Sequence, residues 1–298
     1  MPDWLFHIAL PYLIAVIFRI KDKRTVIIGS LMLDISSFLF AFNEFTNWFD
    51  QLTLVNYLTM THSILGALLF SIAIAFFTTN YLRGFVILFI SGLFHMFLDL
   101  FQYGADIRLL WPLSFTKFSF PIFDPTAKIM LILSIIFFII AIIIEKAEYL
   151  KPKIRLNKFK WTVVFLLVYV ILSYLSIPIL SKENVYNAGF LKNHENYYGK
   201  EIALTRAHVI SKNEVEADGM KIKIKNKDLE VGGIISLKGI YSKDGLEVTY
   251  EHENNNRKVF GSLIGGLIGL FLLVFGGFRN GFYYLKELLL GIIQKRKA

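Results

Sequence analysis

Five ionisable residues interrupt long apolar stretches in the first third of the chain. They are His7, Asp34, His62, His95 and Asp99. An aspartate at the centre of a membrane helix costs about 2.5–3.5 kcal/mol, so residues of this kind usually serve a function. Imidazole and carboxylate are ligands of zinc, manganese and iron. Three histidines and two aspartates would supply the ligands for one or two metal ions, and a metal there could activate water for hydrolysis.

Two other interpretations use the same residue types. A single histidine or aspartate within a membrane helix is often a hydrogen-bonded packing residue, and a proton or ion pathway also uses such residues. His95 and Asp99 are four residues apart, so they share one helix face. No matching polar set continues toward the other membrane face, which disfavours a pathway across the membrane.

The composition indicates which protein classes can be excluded. Hydrophobic residues make up 55% of the 298 residues, charged residues make up 18%, and the mean hydropathy is +0.54. These values exclude an ordinary cytosolic globular enzyme. The absence of cysteine excludes disulfides, thiolate metal sites and cysteine nucleophiles.

Seven apolar segments predict a polytopic α-helical membrane protein of about seven transmembrane helices. The basic residues cluster in alternate loops and in the C-terminal tail, so the positive-inside rule places those segments in the cytoplasm. The N-terminus is then outside, the C-terminus is inside, and all five ionisable residues fall in the outer half of the cell membrane. The segments are residues 4–18, 25–42, 59–78, 82–101, 127–144, 161–180 and 259–278.

Residues 181–258 differ in composition and predict a small antiparallel β-barrel, for which an OB-like barrel is the favoured fold. Short alternating runs are separated by turns at Asp218-Gly219 and Asp244-Gly245. With 13 basic and 12 acidic residues, this domain is nearly neutral, so we expect no nucleic-acid partner. The predicted domains are residues 1–145 (the five-helix hydrolase-like domain), 146–180 (a basic cytoplasmic loop and the sixth helix), 181–258 (the extracytoplasmic β-domain) and 259–298 (the last helix and tail).

Short motifs in roughly the first 125 residues resemble the YdjM-like (LexA-regulated) membrane-bound metal-dependent hydrolases. The resemblance rests on their order and spacing. In chain order they are Trp4-Leu-Phe-His7-Ile-Ala9, Gly29-Ser-Leu-Met-Leu-Asp34-Ile-Ser36, Thr61-His62-Ser63, Gly92-Leu-Phe-His95-Met-Phe-Leu-Asp99 and Leu109-Leu-Trp111-Pro112.

The resemblance implies hydrolysis of a phosphoester or phospholipid, with membrane lipid as partner or substrate. It also implies a divalent metal held by His7, Asp34, His62, His95 and Asp99; zinc is favoured over manganese or iron. Either Asp34 or Asp99 could instead serve as general base.

Two positions depart from the family pattern: Ser36 replaces a second aspartate, and Tyr57 replaces a histidine. The alternative function is therefore a non-catalytic membrane scaffold that presents the β-domain, with a degenerate or structural metal site. The oligomeric state is left open.

Overall fold

The computed structural model divides the chain into two compact units. The first comprises residues 1–38, 59–170 and 257–298, and the second comprises residues 39–58 and 171–256. The structure describes residues 4–35, 48, 59–102, 107–114, 116–120, 122, 128–145, 158–180, 190, 193–217, 219–253, 256–278, 280–283 and 286. The four domains predicted from the sequence stay a prediction.

The first unit is helical. Its helices pack in neighbouring pairs, α1 with α2 and α5, and α4 with α2 and α3. A 3-10 turn over Met32–Asp34 extends α2, and α6 continues into the second unit. The helices are α1 (Trp4–Ile17), α2 (Lys23–Leu31), α3 (Ile64–Ala75), α4 (Tyr81–Leu100), α5 (Lys128–Ile144), α6 (Phe159–Leu180) and α7 (Asn256–Phe275).

Three helices begin at side-chain caps. Asp22 accepts a hydrogen bond from the Thr25 backbone amide, at 3.2 Å, and starts α2. Ser63 caps α3, and Asn80 caps α4. Each cap satisfies a backbone N–H group that has no partner within its helix, so these residues set where the helices start.

The prediction of seven membrane-spanning helices is wrong. Among the described residues, two helices are long and apolar enough to cross a membrane, Tyr81–Leu100 and Phe159–Ser176. The remaining apolar helical stretches are shorter: α1 has 14 residues, α3 has 12, and only the part Ile264–Phe275 of α7 counts as an apolar helix. At 1.5 Å per residue, 14 residues reach about 21 Å, short of the roughly 30 Å hydrocarbon core.

The predicted apolar segments are longer than the helices found in them, because hydropathy does not detect where a helix begins or ends. Ser63 starts α3 inside the predicted segment 59–78. The α-helix in the predicted segment 25–42 ends at Leu31, before the 3-10 turn. The orientation derived from seven spans loses that basis and stays a prediction.

A buried ion pair, absent from the sequence predictions, joins α2 to the end of α5. Lys23 Nζ lies 3.1 Å from Glu145 Oε1, and their side chains are 7% and 1% exposed. The Tyr12 hydroxyl donates to the same Glu145 oxygen at 2.8 Å and accepts from the Phe278 backbone amide at 3.1 Å. Lys23 lies in the basic segment between the first two predicted membrane segments, and the structure shows that its side chain is buried.

Small residues let α7 approach α1 closely. A Cβ atom at Gly265 would lie 2.6 Å from the Leu5 backbone nitrogen, and one at Gly269 would lie 3.0 Å from Ile8 Cδ1. The close helix packing at these glycines is therefore made within the chain.

The second unit contains a five-stranded antiparallel sheet in the order β3-β2-β1-β4-β5. Its inward side chains form a core that includes Leu204, Val215, Ile222 and Leu246. Ser242 pairs with Gly245, which closes a two-residue hairpin turn. The strands are β1 (Glu201–Ser211), β2 (Glu214–Ala217), β3 (Met220–Lys223), β4 (Ile234–Ser242) and β5 (Gly245–Glu253).

The β-domain is present, but the prediction of a closed OB-like barrel is wrong. The sheet is a half-barrel. The chain next to β3 meets β5 at an isolated bridge between Ile224 and Leu246 instead of a continuous ladder. Strand β3 has only four residues, which leaves little backbone to pair along a second edge.

Candidate metal centre

The helical unit brings all five ionisable residues into one cluster, hereafter the His/Asp cluster. His7 comes from α1, Asp34 from the 3-10 turn after α2, His62 from the turn before α3, and His95 and Asp99 from α4. Two sets of three donors, His7 with His95 and Asp99, and Asp34 with His62 and His95, each lie within 4.8 Å of one another.

Two imidazole nitrogens lie between the two carboxylates. His62 Nε2 is 3.3 Å from Asp34 Oδ1 and 3.6 Å from Asp99 Oδ2. His95 Nε2 is 3.7 Å from Asp34 Oδ2 and 3.1 Å from Asp99 Oδ2. Two ligands of one zinc ion, each at about 2.0–2.2 Å, are about 2.8–3.6 Å apart at angles of about 90–109°. The observed separations are close to this range.

The environment of the Asp34 carboxylate best tests whether a metal ion fits the cluster. Its side chain is fully buried, and neither oxygen has a hydrogen-bond partner within the described part of the chain. A buried carboxylate without hydrogen bonds is strongly disfavoured unless it is paired or binds a metal. The Asp34 oxygens, together with the neighbouring imidazole nitrogens, therefore fit a divalent cation.

A backbone carbonyl orients His95. The Nδ1 of this residue lies 2.6 Å from the Ser30 carbonyl oxygen, to which it donates a hydrogen bond. In a neutral ring the Nε2 lone pair then points at the carboxylates, where it suits a cation. Metal-binding histidines commonly have a partner of this kind on the other nitrogen.

Two glycines of the sequence motifs allow α2 to approach α4 closely enough for this hydrogen bond. A Cβ atom at Gly29 would lie 2.7 Å from Ser91 Cβ, and one at Gly92 would lie 2.7 Å from Met32 Cε. A side chain at Gly29 would meet the Leu88 backbone oxygen at 2.9 Å and push α2 and α4 apart, whereas one at Gly92 would only have to displace the Met32 methyl group. The glycines therefore position His95 and Asp34 against each other.

The cap of α3 positions His62. The Ser63 hydroxyl accepts from the Gly66 backbone amide at 3.0 Å and donates to the Met60 carbonyl at 2.6 Å. The Thr61 hydroxyl lies 3.0 Å from His62 Nδ1, so it can accept a hydrogen bond from an Nδ1–H group and leave Nε2 to face the carboxylates.

The His7 side of the cluster is arranged differently. Its Nε2 is 3.2 Å from Asp99 Oδ1, and its ring stacks on that of His95 at 4.2 Å. The Gln102 amide nitrogen lies 3.2 Å from the same Nε2 and donates to Asp99 Oδ1 at 3.1 Å. The two oxygens of Asp99 thus face different parts of the cluster.

The comparison with known families follows this geometry. The family model described as YdjM inner membrane protein matches residues 4–180, more than half of the chain. The chain belongs to the YdjM inner membrane protein family. The match includes all five residues of the His/Asp cluster and extends beyond the first 125 residues or so on which the resemblance rested. No curated protein and no solved structure matches the chain.

A membrane location agrees with the surface of this YdjM family chain. Along α5, large apolar side chains are exposed, Ile135 and Ile139 by about half and Ile143 by 68%. An apolar surface of this kind suits contact with lipid or another protein.

Several residues of the YdjM family chain bear on the sequence predictions. Ser36 and Tyr57, which depart from the motif, lie outside the described residues. Gln102 was missed because it lies just beyond the end of α4, where a turn closed by the Gln102 N–H and the Asp99 carbonyl, 3.0 Å apart, brings its side chain back to Asp99. The Ser30 carbonyl could not be found from sequence, because a backbone oxygen has no residue-type signature.

Proposed function

We propose that this member of the YdjM family is a membrane metal-dependent hydrolase whose metal lies among Asp34, His62, His95 and Asp99. The observation that carries the proposal is the buried Asp34 carboxylate, which has no hydrogen-bond partner among the described residues and faces two imidazole nitrogens. Zinc is favoured for this mixed nitrogen and oxygen donor set, with manganese or iron as alternatives.

When bound, a divalent ion at this donor set activates water and polarises an ester or phosphoryl oxygen. The chain's own residues supply the remaining functions. Ser30 and Thr61 hold the imidazoles of His95 and His62 in orientation. One of the two carboxylates would accept a proton from the attacking water instead of binding the metal; Asp99, whose Oδ2 lies near both imidazoles, is the first candidate for this general base, and Asp34 is the alternative.

A phosphoester, and in particular a phospholipid, is the proposed substrate class. The family is one of inner membrane proteins, and α5 exposes apolar side chains. His62 is the most exposed histidine of the cluster, with 15% of its side chain accessible. We therefore expect the scissile bond to approach from the His62 side.

The experiment is metal analysis of the purified protein in detergent, followed by an assay for phosphate ester release from phospholipid vesicles. We expect stoichiometric metal in the wild type and its loss in Asp34→Asn and His95→Ala. Matched controls are Asp244→Asn and His208→Ala, at exposed positions of the β-domain, which should keep both metal and activity. A wild-type protein without bound metal would refute the proposal.

A second candidate function is a scaffold in which the same metal is structural. The burial of the cluster favours it, since His7, Asp34 and His95 are fully buried and Asp99 is only 5% exposed. This function predicts that metal removal lowers the unfolding temperature while no phosphoester is turned over at any metal loading.

We also propose that the β-domain lies outside the cytoplasm, and labelling tests this without assuming a number of membrane spans. The chain has no cysteine, and Lys243 is exposed, so Lys243→Cys provides one thiol for labelling. We expect a membrane-impermeant maleimide to label it in intact cells. Labelling that requires lysis would place the β-domain in the cytoplasm.

A further inference from the structure

Gln102 contacts two of the three residues on the His7 side of the cluster that could hold a metal ion. Its side chain is 4% exposed, and its amide nitrogen lies within 3.2 Å of both His7 Nε2 and Asp99 Oδ1. These two atoms are themselves 3.2 Å apart, close to the spacing of two ligands on one ion. The amide N–H group thus lies where a cation would bridge them.

The orientation of the amide follows from its neighbours. An amide oxygen placed 3.1 Å from a carboxylate oxygen would be repelled, so the nitrogen faces Asp99. Two proton arrangements are then open to His7. Either its Nε2 accepts from Gln102, or its Nε2–H donates to Asp99 Oδ1. In both, hydrogen bonds occupy His7 Nε2.

The Asp34 side of the cluster has no such group among the described residues. Both Asp34 oxygens and His95 Nε2 are buried without a hydrogen-bond partner there. A metal on that side completes the coordination of these atoms, whereas a metal on the His7 side must first displace hydrogen bonds that are already made. The two sides therefore differ in their need for a cation.

From this difference we infer that Gln102 restricts the cluster to one metal ion, bound on the Asp34 side, and makes His7 a positioning residue instead of a ligand. The inference rests on the proposed metal centre and specifies how many ions it holds. Glutamate is the carboxylate analogue of Gln102 and has nearly the same shape. At this position it would place a third anionic side chain in the cluster, next to His7 Nε2 and Asp99 Oδ1. A glutamate at this position should therefore create the second site.

The test is the number of zinc ions per chain after equilibrium dialysis of the detergent-solubilised protein against zinc chloride. We expect one ion in the wild type, two in Gln102→Glu, and one again in Gln102→Glu combined with His7→Asn. Gln102→Met removes the amide without adding a carboxylate, so it should admit a second ion with lower affinity than Gln102→Glu does. Unfolding temperatures measured with chelator present confirm that the variants are folded.

The outcomes separate this inference from the proposed function. Two ions in the wild type, or one ion in a folded Gln102→Glu, would overturn the role of Gln102 while leaving the metal centre intact. Absence of zinc from the wild type would overturn the metal centre and this inference with it.

Discussion

The helical unit buries two clusters of ionisable side chains that satisfy their charges in different ways. In the first, Lys23 and Glu145 carry opposite charges, and the Tyr12 hydroxyl adds a hydrogen bond to the same carboxylate. In the His/Asp cluster, two carboxylates meet three imidazoles, and Asp34 has no hydrogen-bond partner within the described residues. The first cluster is complete within the chain, whereas the second has the donor atoms that could hold a cation.

The difference shows that burial of charge alone does not identify a functional site. Both clusters touch α1, on which His7 and Tyr12 are five residues, or about 7.5 Å, apart along the helix axis. A buried ion pair with its hydrogen bonds made is a structural feature, and removing one partner leaves an uncompensated charge. A cluster of like charges whose oxygens lack donors is a candidate for ligand binding.

The largest predicted effect breaks the ion pair. Lys23→Met leaves Glu145 buried without its cation and should destabilise the protein by about 3–5 kcal/mol. Lys23→Met combined with Glu145→Leu removes both charges and should recover most of that loss. Thermal unfolding in detergent measures both effects. Equal destabilisation of the single and double variants would show that the ion pair is not the origin of the effect.

Much of the His/Asp cluster could be predicted from the sequence because ionisable residues are rare within apolar stretches. The same reasoning failed for Lys23, which lies in a basic segment where lysines are usually exposed, and whose partner Glu145 is far away in sequence. Membrane spans were overpredicted because hydropathy does not detect the Ser63 cap or the turn at Asp34. The topology of the half-barrel depends on strand pairing, which short alternating runs do not determine.

The next prediction concerns stabilisation by metal. A ligand that binds only the folded state at one hundred times its dissociation constant stabilises it by about 2.7 kcal/mol. Zinc should therefore raise the unfolding temperature of the wild type and of the Lys23→Met/Glu145→Leu variant equally. It should not change that of His95→Ala. A zinc-dependent shift in His95→Ala would mean that the ion binds elsewhere.

A smaller effect of opposite sign distinguishes the two carboxylates. With chelator present, Asp34→Asn removes a buried charge that has no hydrogen bond and should stabilise the protein by about 1–3 kcal/mol. Glu145→Gln removes a charge that pairs with Lys23 and should destabilise it. In saturating zinc the wild type should be more stable than Asp34→Asn, because only the wild type then gains the free energy of metal binding. Destabilisation by Asp34→Asn in chelator would show that Asp34 already has its partners within the chain.

The smallest effect tests how the cluster is positioned, by comparing two helix caps. Ser63→Ala should cost about 1 kcal/mol of stability, and Asn80→Ala, which removes the equivalent cap of α4, should cost a similar amount. His62 immediately precedes the Ser63 cap, whereas His95 lies four turns from Asn80. Zinc affinity, measured by competition with a chelating dye, should therefore fall in Ser63→Ala and stay unchanged in Asn80→Ala. Equal affinities in the two variants would show that the cap stabilises α3 without holding His62 in place.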